Sequence, residues 1–315
     1  LSILDKDHPQ NLGMIGMHGT YAANMAAVHC DLLIGMGVRF DDRVTGIVNK
    51  FAPKAKIAHF DIDPSEINKI IKPRFRVLGD LAWSAPLFTQ MVKKCQIDPW
   101  MEQVNQWKAE HPLKYNDDSD LLKPQFVIEA VNDCLSKDAI IVTDVGQHQM
   151  WTAQYGHFKG PRSFLTSGGL GTMGYGLPAA IGAALACPEK EIWLFTGDGS
   201  LMMNCQEIAT AVELDLSIKV IILNNNGLGM VRQWQRLFYG NRYSGSQHQK
   251  PTDFIRLAQA FDAQGVKVLK KADLAQALAD AKAAKSPFFL DVMVEEEEDV
   301  LPMVAPNAAL DQMME

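Results

Sequence analysis

The chain has 315 residues, of which 47% are apolar and 21% are charged. This composition is that of an ordinary globular protein and excludes a disordered or fibrous chain. The length suffices for two domains, because single cores rarely grow beyond about 250 residues. Thirty basic and 37 acidic residues give a net charge of −7, so no basic surface is offered to nucleic acid or to anionic lipid.

The first hundred residues have the pattern of an α/β domain. Apolar runs over residues 31–38 and 56–62 predict strands, and the periodicity over residues 21–29 and 64–71 predicts helices. Strands that alternate with helices form a parallel sheet. The first residue is Leu1, and the polar, loop-like stretch that it opens leads us to expect a piece of a longer polypeptide.

Residues 98–123 are polar and irregular, and we interpret them as a linker between a first domain, residues 1–97, and a second domain, residues 124–315. The β-rich runs of the second domain cover residues 139–145, 191–196, 219–224 and 287–294, with helical patterns at residues 176–186 and 205–212. At least four parallel strands are therefore predicted. The expected fold class is α/β, with parallel sheets flanked by helices.

Five cysteines, an odd number, are spread along the chain without any C-x-x-C pair. This argues against a disulfide framework or a zinc site and favours a reducing, cytoplasmic compartment. No run of 18 or more apolar residues occurs, so we predict no membrane span.

Two of the predicted strands are followed directly by glycines and oxygen-bearing side chains. The clusters are Gly197-Asp-Gly-Ser200 and Asn224-Asn-Asn-Gly227. Open α/β sheets bind ligands at the carboxyl ends of their strands, so we expect both clusters at one site. Carboxylate and amide oxygens are suited to a magnesium ion that also contacts phosphate. Either cluster alone would be an ordinary turn, but their joint placement indicates a metal site.

These clusters resemble the diphosphate-and-metal motif of thiamine diphosphate enzymes. The resemblance implies that the side chains of Asp198 and Asn225 and the main-chain carbonyl of Gly227 bind Mg²⁺. The longer strings at residues 144–149, 168–178 and 229–235 resemble acetohydroxyacid synthase within that superfamily. This resemblance extends over nearly the whole chain. It implies part of an FAD-binding-like central domain followed by a thiamine diphosphate-binding domain.

The same resemblance implies a set of residues that contact thiamine diphosphate. They are Val145, Gly146, Gln147, His148, Gly171, Met173, Gly197, Gly199, Ser200 and Met230. Met173 and Met230 would hold the cofactor in a bent shape that brings its 4′-amino group to the C2 proton, which is proximity catalysis supplied by packing. Trp234 would contact the second keto acid and favour 2-ketobutyrate over pyruvate. Taken singly, His148 also fits an ordinary surface histidine, and the two methionines also fit gap-filling positions in the core. Trp234 alone also fits a residue that anchors a helix.

In the amino-terminal part, residues 16–19 and 38–43 resemble stretches that line FAD in this family. The residues implied are Met17, His18, Arg39, Asp41, Arg43, Asp61, Ile62 and Asp80. The reaction has no net redox change, so we interpret the flavin as structural. Asp61 and Asp80 are equally typical of solvated loop acids.

The implied activity is decarboxylation of pyruvate on thiamine diphosphate, followed by addition of the two-carbon unit to pyruvate or 2-ketobutyrate, in branched-chain amino acid synthesis. In the family a glutamate from an amino-terminal domain activates the cofactor across a subunit interface. No such glutamate is identified here, and the acidic run 295–299 is interpreted as a solvated segment. We therefore expect an inactive chain by itself, a homodimer or tetramer of the longer polypeptide, and a small regulatory subunit as a candidate partner.

Three other interpretations stay open. The string Gly169-Leu-Gly-Thr-Met-Gly174 fits the G-x-G-x-x-G of dinucleotide-binding dehydrogenases, although no clear strand precedes it. A second interpretation is a cofactor-binding piece without catalysis of its own. The third is another thiamine diphosphate enzyme, of the pyruvate oxidase or glyoxylate carboligase type.

Overall fold

The computed structural model describes residues 1–315, which form two compact units. The large unit is Leu1–Asn11 with Lys114–Val300, and the small unit is Leu12–Leu113 with Leu301–Glu315. The strands are β1 (Leu32–Met36), β2 (Lys56–Asp61), β3 (Phe75–Leu78), β4 (Ile140–Thr143), β5 (Phe164–Leu165), β6 (Ile192–Gly197), β7 (Ile218–Asn224), β8 (Gln264–Val268), β9 (Phe288–Met293), β10 (Met303–Val304) and β11 (Met313–Met314). The α-helices are α1 (Tyr21–His29), α2 (Asp42–Thr45), α3 (Leu81–Met91), α4 (Asp98–Glu110), α5 (Pro124–Cys134), α6 (Gln147–Tyr155), α7 (Gly176–Ala186), α8 (Asp198–Leu201), α9 (Glu207–Glu213), α10 (Gly229–Phe238), α11 (Phe254–Gln259) and α12 (Lys271–Ala283).

A six-stranded parallel sheet with the order β5-β4-β6-β7-β9-β8 forms the centre of the large unit. The two middle strands, β6 and β7, are buried along their whole length. Ile192 and Leu194 pack with α7 and α9, whereas Trp193 and Phe195 point to the opposite face and are also fully buried. A sheet covered on both faces needs apolar residues on both sides, which explains the continuous hydrophobic runs.

The predicted α/β fold class and the four predicted strands of the large unit are confirmed as β4, β6, β7 and β9. Helix α7 covers the range predicted for it, and α9 overlaps the second helical pattern. The two strands of this six-stranded sheet that were not predicted, β5 and β8, are its edges. Edge strands are half exposed or very short, so their residues show little hydrophobic periodicity.

The small unit contains a parallel sheet with the order β1-β2-β3, which confirms the two predicted strands there. Helix α1 begins after Thr20, whose side-chain oxygen accepts a hydrogen bond from the main chain of Ala23 at 3.1 Å, the usual N-cap arrangement. The core is formed by apolar residues of α1, β2 and the segments that follow β1 and precede β2, together with Val304 and Leu310 from the end of the chain.

The compact units depart from the predicted domain boundaries in three places, the first being that residues 1–11 belong to the large unit. The predicted linker, residues 98–123, contains helix α4, in which Val104 is buried and Trp107 packs near the ring of His29. Residues 301–315 belong to the small unit, not to the second domain. The reason is apolar burial, because Val304 is 2% exposed within the small-unit core.

The helix predicted over residues 64–71 was wrong. This segment forms successive turns, and Asn68 has a φ of +66°, in the left-handed region that ends a right-handed helix. The apolar spacing that predicted the helix is present, but Ile71 packs into the small-unit core without helical geometry.

The acidic run 295–299 is also not a freely solvated segment. Glu298 accepts hydrogen bonds from Lys123 at 2.6 Å and from Gln125 at 2.8 Å, and Lys123 also pairs with Glu295. Asn226 donates to the carboxylate of Glu296 at 2.9 Å. The run therefore packs against the turn that follows β7, a contact between distant residues that the charge pattern gave no means of predicting.

Candidate cofactor and metal site

Two strand ends bring the predicted metal ligands together. Strand β6 ends at Gly197 and β7 ends at Asn224, and these strands are neighbours in parallel register, with Gly197 opposite Leu223. The next residues on each strand are Asp198, which is 4% exposed, and Asn225, which is 6% exposed. The sheet topology thus places an acid and an amide side by side at its carboxyl edge, as the sequence predicted.

The carboxylate of Asp198 connects the two strand ends. Its Oδ1 accepts from the main-chain N–H of Gly199 at 2.8 Å, and its Oδ2 accepts from that of Gly227 at 2.9 Å. Burial raises the pKa of Asp198 to about 6, although these hydrogen bonds and the nearby His248 and Arg232 act in the opposite direction. A buried carboxylate whose ionisation is disfavoured gains most from a bound cation, so this position fits a metal ion.

Residues 246–248, which no sequence motif indicated, lie beside the turn that follows β7. The main-chain N–H of His248 donates to Asn226 at 3.0 Å, and that of Leu228 donates to Ser246 at 2.8 Å. The imidazole Nε2 of His248 is 3.8 Å from Asp198 Oδ2. His248 is separated from the metal motif by about twenty residues without a recognisable pattern, so only the fold identifies it.

His148 lies in the first turn of α6, which follows β4. Its ring packs against two glycines: a Cβ at Gly146 would lie 2.8 Å from its Cε1, and a Cβ at Gly197 would lie 2.8 Å from its Nδ1. Burial lowers the pKa of His148 to about 3, so the ring is neutral. Its Nε2 has no hydrogen-bond partner. An unpartnered buried nitrogen among the main-chain N–H groups of a helix start suits an anionic or polar ligand.

These groups line one open cleft at the carboxyl edge of the sheet. Its lining includes Val145, Gly146, Gln147, His148, Met173, Gly197, Asp198, Gly199, Ser200, Asn225, Gly227 and Met230 from the residues named in the sequence analysis. It also includes Trp151, Leu223, Leu228, Gly229 and Val231, which are not among the predicted contacts. One wall is thus polar and formed by strand ends, and the other is apolar.

The apolar wall depends on a glycine. A Cβ at Gly199 would overlap the side chain of Leu228 and would lie 3.7 Å from the terminal methyl group of Met173. Ser200 follows and donates its hydroxyl to the main-chain oxygen of Val145 at 2.7 Å, which joins the ends of β4 and β6. Met173 and Leu228 therefore lie together on the apolar side of the cleft, whereas the support predicted from the sequence was Met173 with Met230.

Two predicted residues do not line the cleft. Gly171 has a φ of +67° and lies near Val145, since a Cβ there would be 3.9 Å from the Val145 side chain. Trp234 lies on α10 one turn beyond Met230, and its ring packs edge-on against Phe238 with the centroids 5.5 Å apart. Gly171 is thus placed as a turn residue of the glycine string, and Trp234 as a neighbour of the cleft.

Asp144 holds the glycine string in place. Its carboxylate accepts from the main-chain N–H of Gly174 at 2.8 Å and from the hydroxyl of Thr196 at 3.2 Å. Burial raises the pKa of Asp144, and hydrogen bonds from the surrounding main chain oppose that shift. A Cβ at Gly176, where α7 begins, would lie 2.8 Å from a methyl group of Leu194. These glycines therefore serve close packing of α7 on the sheet.

In the small unit, the residues predicted to contact FAD follow the carboxyl ends of the strands or lie in contact with that region. The main-chain N–H of Met17 donates to the carbonyl of Arg43 at 2.7 Å, which joins the segment with His18 to the segment with Asp41. Asp41 caps α2 and pairs with Arg39 at 2.6 Å.

The other predicted acids of this edge also have local partners. Asp61 accepts from the N–H of Asp63 at 2.9 Å, and Asp80 caps α3 by accepting from Ala82 at 2.8 Å. Ile62 is 67% exposed and Trp83 is 65% exposed, so apolar surface is available between these acids.

Comparison with known families follows the division of the sequence. The family described as thiamine pyrophosphate enzyme, C-terminal TPP binding domain, matches residues 144–292, and the family described as thiamine pyrophosphate enzyme, central domain, matches residues 1–87. The chain belongs to the thiamine pyrophosphate (thiamine diphosphate) enzymes. Within that class it is homologous to acetolactate synthase large subunits, which confirms the resemblance seen in its motifs.

Three relatives illustrate the similarity. An acetolactate synthase large subunit of Parasynechococcus marenigrum (strain WH8102) is 45% identical over 98% of this chain and 51% of its own length. The acetolactate synthase isozyme 2 large subunit of Escherichia coli (strain K12) is 43% identical over 100% of this chain and 57% of its own length. The mitochondrial acetolactate synthase catalytic subunit of Saccharomyces cerevisiae (strain ATCC 204508 / S288c) is 41% identical over 100% of this chain and 48% of its own length. The chain spans about half the length of these curated relatives.

The five cysteines are all free, and none of the helices is both long and apolar enough to cross a membrane.

Proposed function

We propose that this chain is the carboxy-terminal part of an acetolactate synthase catalytic subunit and that it binds thiamine diphosphate through Mg²⁺. The observation that carries the proposal is the buried Asp198 carboxylate beside Asn225 at two adjacent strand ends, on the polar wall of an open cleft. Two hard oxygen ligands and the Gly227 carbonyl suit Mg²⁺, which completes its shell with phosphate oxygens and water.

The residues around the cleft divide the work of holding the cofactor. Main-chain N–H groups at the start of α6 and the unpartnered Nε2 of His148 suit the diphosphate end. Met173, Met230 and Leu228 suit the apolar support that holds the rings in a bent shape. Bound thiamine diphosphate would supply the carbon nucleophile and the electron sink for decarboxylating a 2-keto acid.

The substrates we propose are pyruvate as donor and pyruvate or 2-ketobutyrate as acceptor, in the synthesis of branched-chain amino acids. Trp234, one turn beyond the cleft residue Met230, is proposed to contact the acceptor and to favour the larger one. An aromatic wall discriminates one methylene by only about 1–3 kcal/mol. Trp234→Leu in the longer polypeptide should therefore lower the preference for 2-ketobutyrate and leave decarboxylation intact, which a competition assay of the two products measures.

We further propose FAD as a structural cofactor of the small unit. Three observations support a ligand at that edge of the sheet. They are the contact between Met17 and Arg43, the exposed apolar side chain of Ile62, and the position of Asp41 and Asp80 at the starts of helices. Absorbance of the purified protein in the flavin region, with mass spectrometry of the released cofactor, tests it. A colourless protein that takes up no added FAD would refute it.

The assembly that we propose is a homodimer or tetramer of the longer polypeptide, with a small regulatory subunit, in a cytoplasmic or similarly reducing compartment. The names of the relatives, as large subunits, support the small partner. The free cysteines support the compartment. We place the glutamate that activates the cofactor outside this chain, so acetolactate formation should require the longer polypeptide.

Calorimetric titration of the purified chain with thiamine diphosphate, with and without MgCl₂, tests the binding proposal. We expect binding that depends on Mg²⁺ and that NAD does not reproduce. Binding of NAD, or no binding of thiamine diphosphate in either condition, would refute it. The activity is tested separately by assaying acetolactate from pyruvate with this chain and with the longer polypeptide.

A further inference from the structure

Three side-chain amides form a continuous hydrogen-bonded row that ends at the proposed metal ligand. Asn225 Nδ2 donates to Gln147 Oε1 at 3.1 Å. Gln147 Nε2 donates to Gln233 Oε1 at 2.9 Å and to the main-chain oxygen of Glu298 at 2.9 Å. Gln233 in turn makes two hydrogen bonds with the main chain of Val300. All of these residues except Glu298 are at least nine-tenths buried.

The side-chain amide of Gln233, at the far end of the row, can be oriented in only one way. The N–H of Val300 donates to Gln233 Oε1 at 3.0 Å, and Gln233 Nε2 donates to the carbonyl of Val300 at 3.2 Å. A main-chain N–H can only donate and a main-chain carbonyl can only accept, so the amide of Gln233 cannot be flipped. The carbonyl of Glu298 imposes the same condition on Gln147, because it requires an N–H from that side chain.

The direction of each amide fixes the next one. Gln147 must present its nitrogen to Gln233 and Glu298, so its oxygen faces Asn225. Asn225 must then present its nitrogen to Gln147, which leaves its oxygen for a cation. We propose that Gln147 and Gln233 are positioning residues that set which atom of Asn225 faces the proposed Mg²⁺, with the main chain at residues 298–300 as the fixed reference.

The row requires a residue without a side chain at position 229. A Cβ at Gly229 would overlap both Gln147 Oε1 and Asn225 Nδ2, the two atoms of the hydrogen bond next to the metal site. Helix α10 begins at this glycine and carries Gln233 one turn later. The same helix start therefore leaves room for one end of the row and supplies its anchor at the other.

This assignment changes the role given to Gln147. Both polar atoms of its side chain are occupied within the row, so the side chain does not contact the diphosphate and only its main chain remains for that purpose. The inference rests on the proposed function, because it presumes a cation bound at Asp198 and Asn225. Partners that orient metal ligands in this way typically change metal affinity by about 10–100-fold.

A double-mutant cycle separates orientation from simple packing. Gln147→Met removes the polar atoms at similar length, and Asn225→Asp replaces the amide by a carboxylate with two equivalent oxygens, which needs no orientation. The apparent Kd of Mg²⁺ is measured by calorimetry at saturating thiamine diphosphate for the wild-type chain, both single variants and the double variant. Melting temperatures without Mg²⁺ report folding.

We expect Gln147→Met to weaken Mg²⁺ by about 10–100-fold when residue 225 is asparagine and to have no such effect when it is aspartate. An equal loss in both backgrounds would show a merely structural role and overturn the inference. If Gln147→Met fails to fold, Gln233→Met takes its place in the same cycle, because it removes only the anchor. Wild-type binding of thiamine diphosphate that does not depend on Mg²⁺ would refute both the proposed function and the positioning role of Gln147 and Gln233. Mg²⁺ dependence without coupling between residues 147 and 225 would refute the positioning role alone.

Discussion

Both parallel sheets of this chain carry acids at or just beyond the ends of their strands, but these acids have different hydrogen-bond partners. In the small unit, Asp61 and Asp80 accept hydrogen bonds from main-chain groups two residues further along. In the large unit, Asp198 accepts from its neighbour and also from Gly227, which lies 29 residues away at the end of another strand. The first arrangement is a local cap or turn, and the second exists only when the whole sheet has formed.

An acid at the end of a strand is therefore not by itself a metal ligand. Local partners satisfy Asp80 at an exposed helix start, where no cation is needed. Asp198 is buried with its charge disfavoured, and a second oxygen ligand, Asn225, lies at the adjacent strand end. Burial together with a partner distant in sequence therefore distinguishes the candidate metal site from the cap.

The largest effect is expected from removing the acid itself. Asp198→Ala should weaken Mg²⁺-dependent binding of thiamine diphosphate by at least about 100-fold, because one of the two proposed side-chain metal ligands is lost. Asp61→Ala, in the other sheet, should leave that binding unchanged. Isothermal titration of both variants decides, and wild-type affinity in Asp198→Ala would remove the metal assignment.

The glycines that precede these acids provide a matched pair. Gly197→Ala should lower the free energy of unfolding by about 1–3 kcal/mol and weaken cofactor binding, because the added Cβ would lie 2.8 Å from the His148 ring. Gly79→Ala, which precedes Asp80, meets only the Trp83 ring at 3.9 Å and should be tolerated. Urea denaturation measures both, and equal losses would mean that the close packing on His148 does not matter.

The pH dependence should follow Asp198. Because burial raises its pKa to about 6, protons compete with Mg²⁺ below that pH, and cofactor affinity should fall by up to about tenfold for each further pH unit. Above about pH 7 the carboxylate is ionised and the affinity should be constant. Without Mg²⁺ the pH dependence of folding stability has the opposite sign. The raised pKa of Asp198 stabilises the folded state at low pH, and that contribution is lost as pH rises through about 6.

Melting temperatures with and without MgCl₂, from about pH 5 to about pH 8, test both signs. The increase caused by Mg²⁺ should be largest at the alkaline end of the series. An increase that is the same at every pH would contradict the assignment of Asp198 as the titrating ligand.

The smallest effect is expected at the helix cap of the small unit. Asp80→Ala should cost about 1 kcal/mol of unfolding free energy, because the N–H of Ala82 loses its partner. Asp80→Asn keeps an accepting oxygen and should cost only a few tenths of that. Chemical denaturation of the two variants compares them, and a loss of thiamine diphosphate binding in either would break the distinction between cap and ligand.

The buried strands and the joint position of the two clusters that follow β6 and β7 could be predicted because both come from local patterns. Strands β6 and β7 are apolar throughout, and Asp198 and Asn225 follow them directly. Contacts between distant residues were out of reach. Three such contacts depend on how separate segments meet. They are Leu228 against Gly199, His248 beside Asp198, and Glu296 with Asn226.

One error came from reading spacing without backbone geometry. Residues 64–71 have helical spacing, but Asn68 adopts a left-handed conformation that interrupts it. Another came from reading composition without burial. Residues 98–123 were interpreted as a linker because they are polar and irregular, but they contain helix α4, in which Val104 is 1% exposed. In both cases the tertiary environment decided the outcome.

The division of the small unit between two distant stretches of chain has a consequence for the order of synthesis. Its core needs Val304 and Leu310, which leave the ribosome after every strand of the large unit has been made. Domains made of one contiguous stretch can fold as they emerge, whereas this one must wait for its closing segment. A chain shortened to residue 300 would therefore damage the unit that begins at Leu12, not the unit next to the cut.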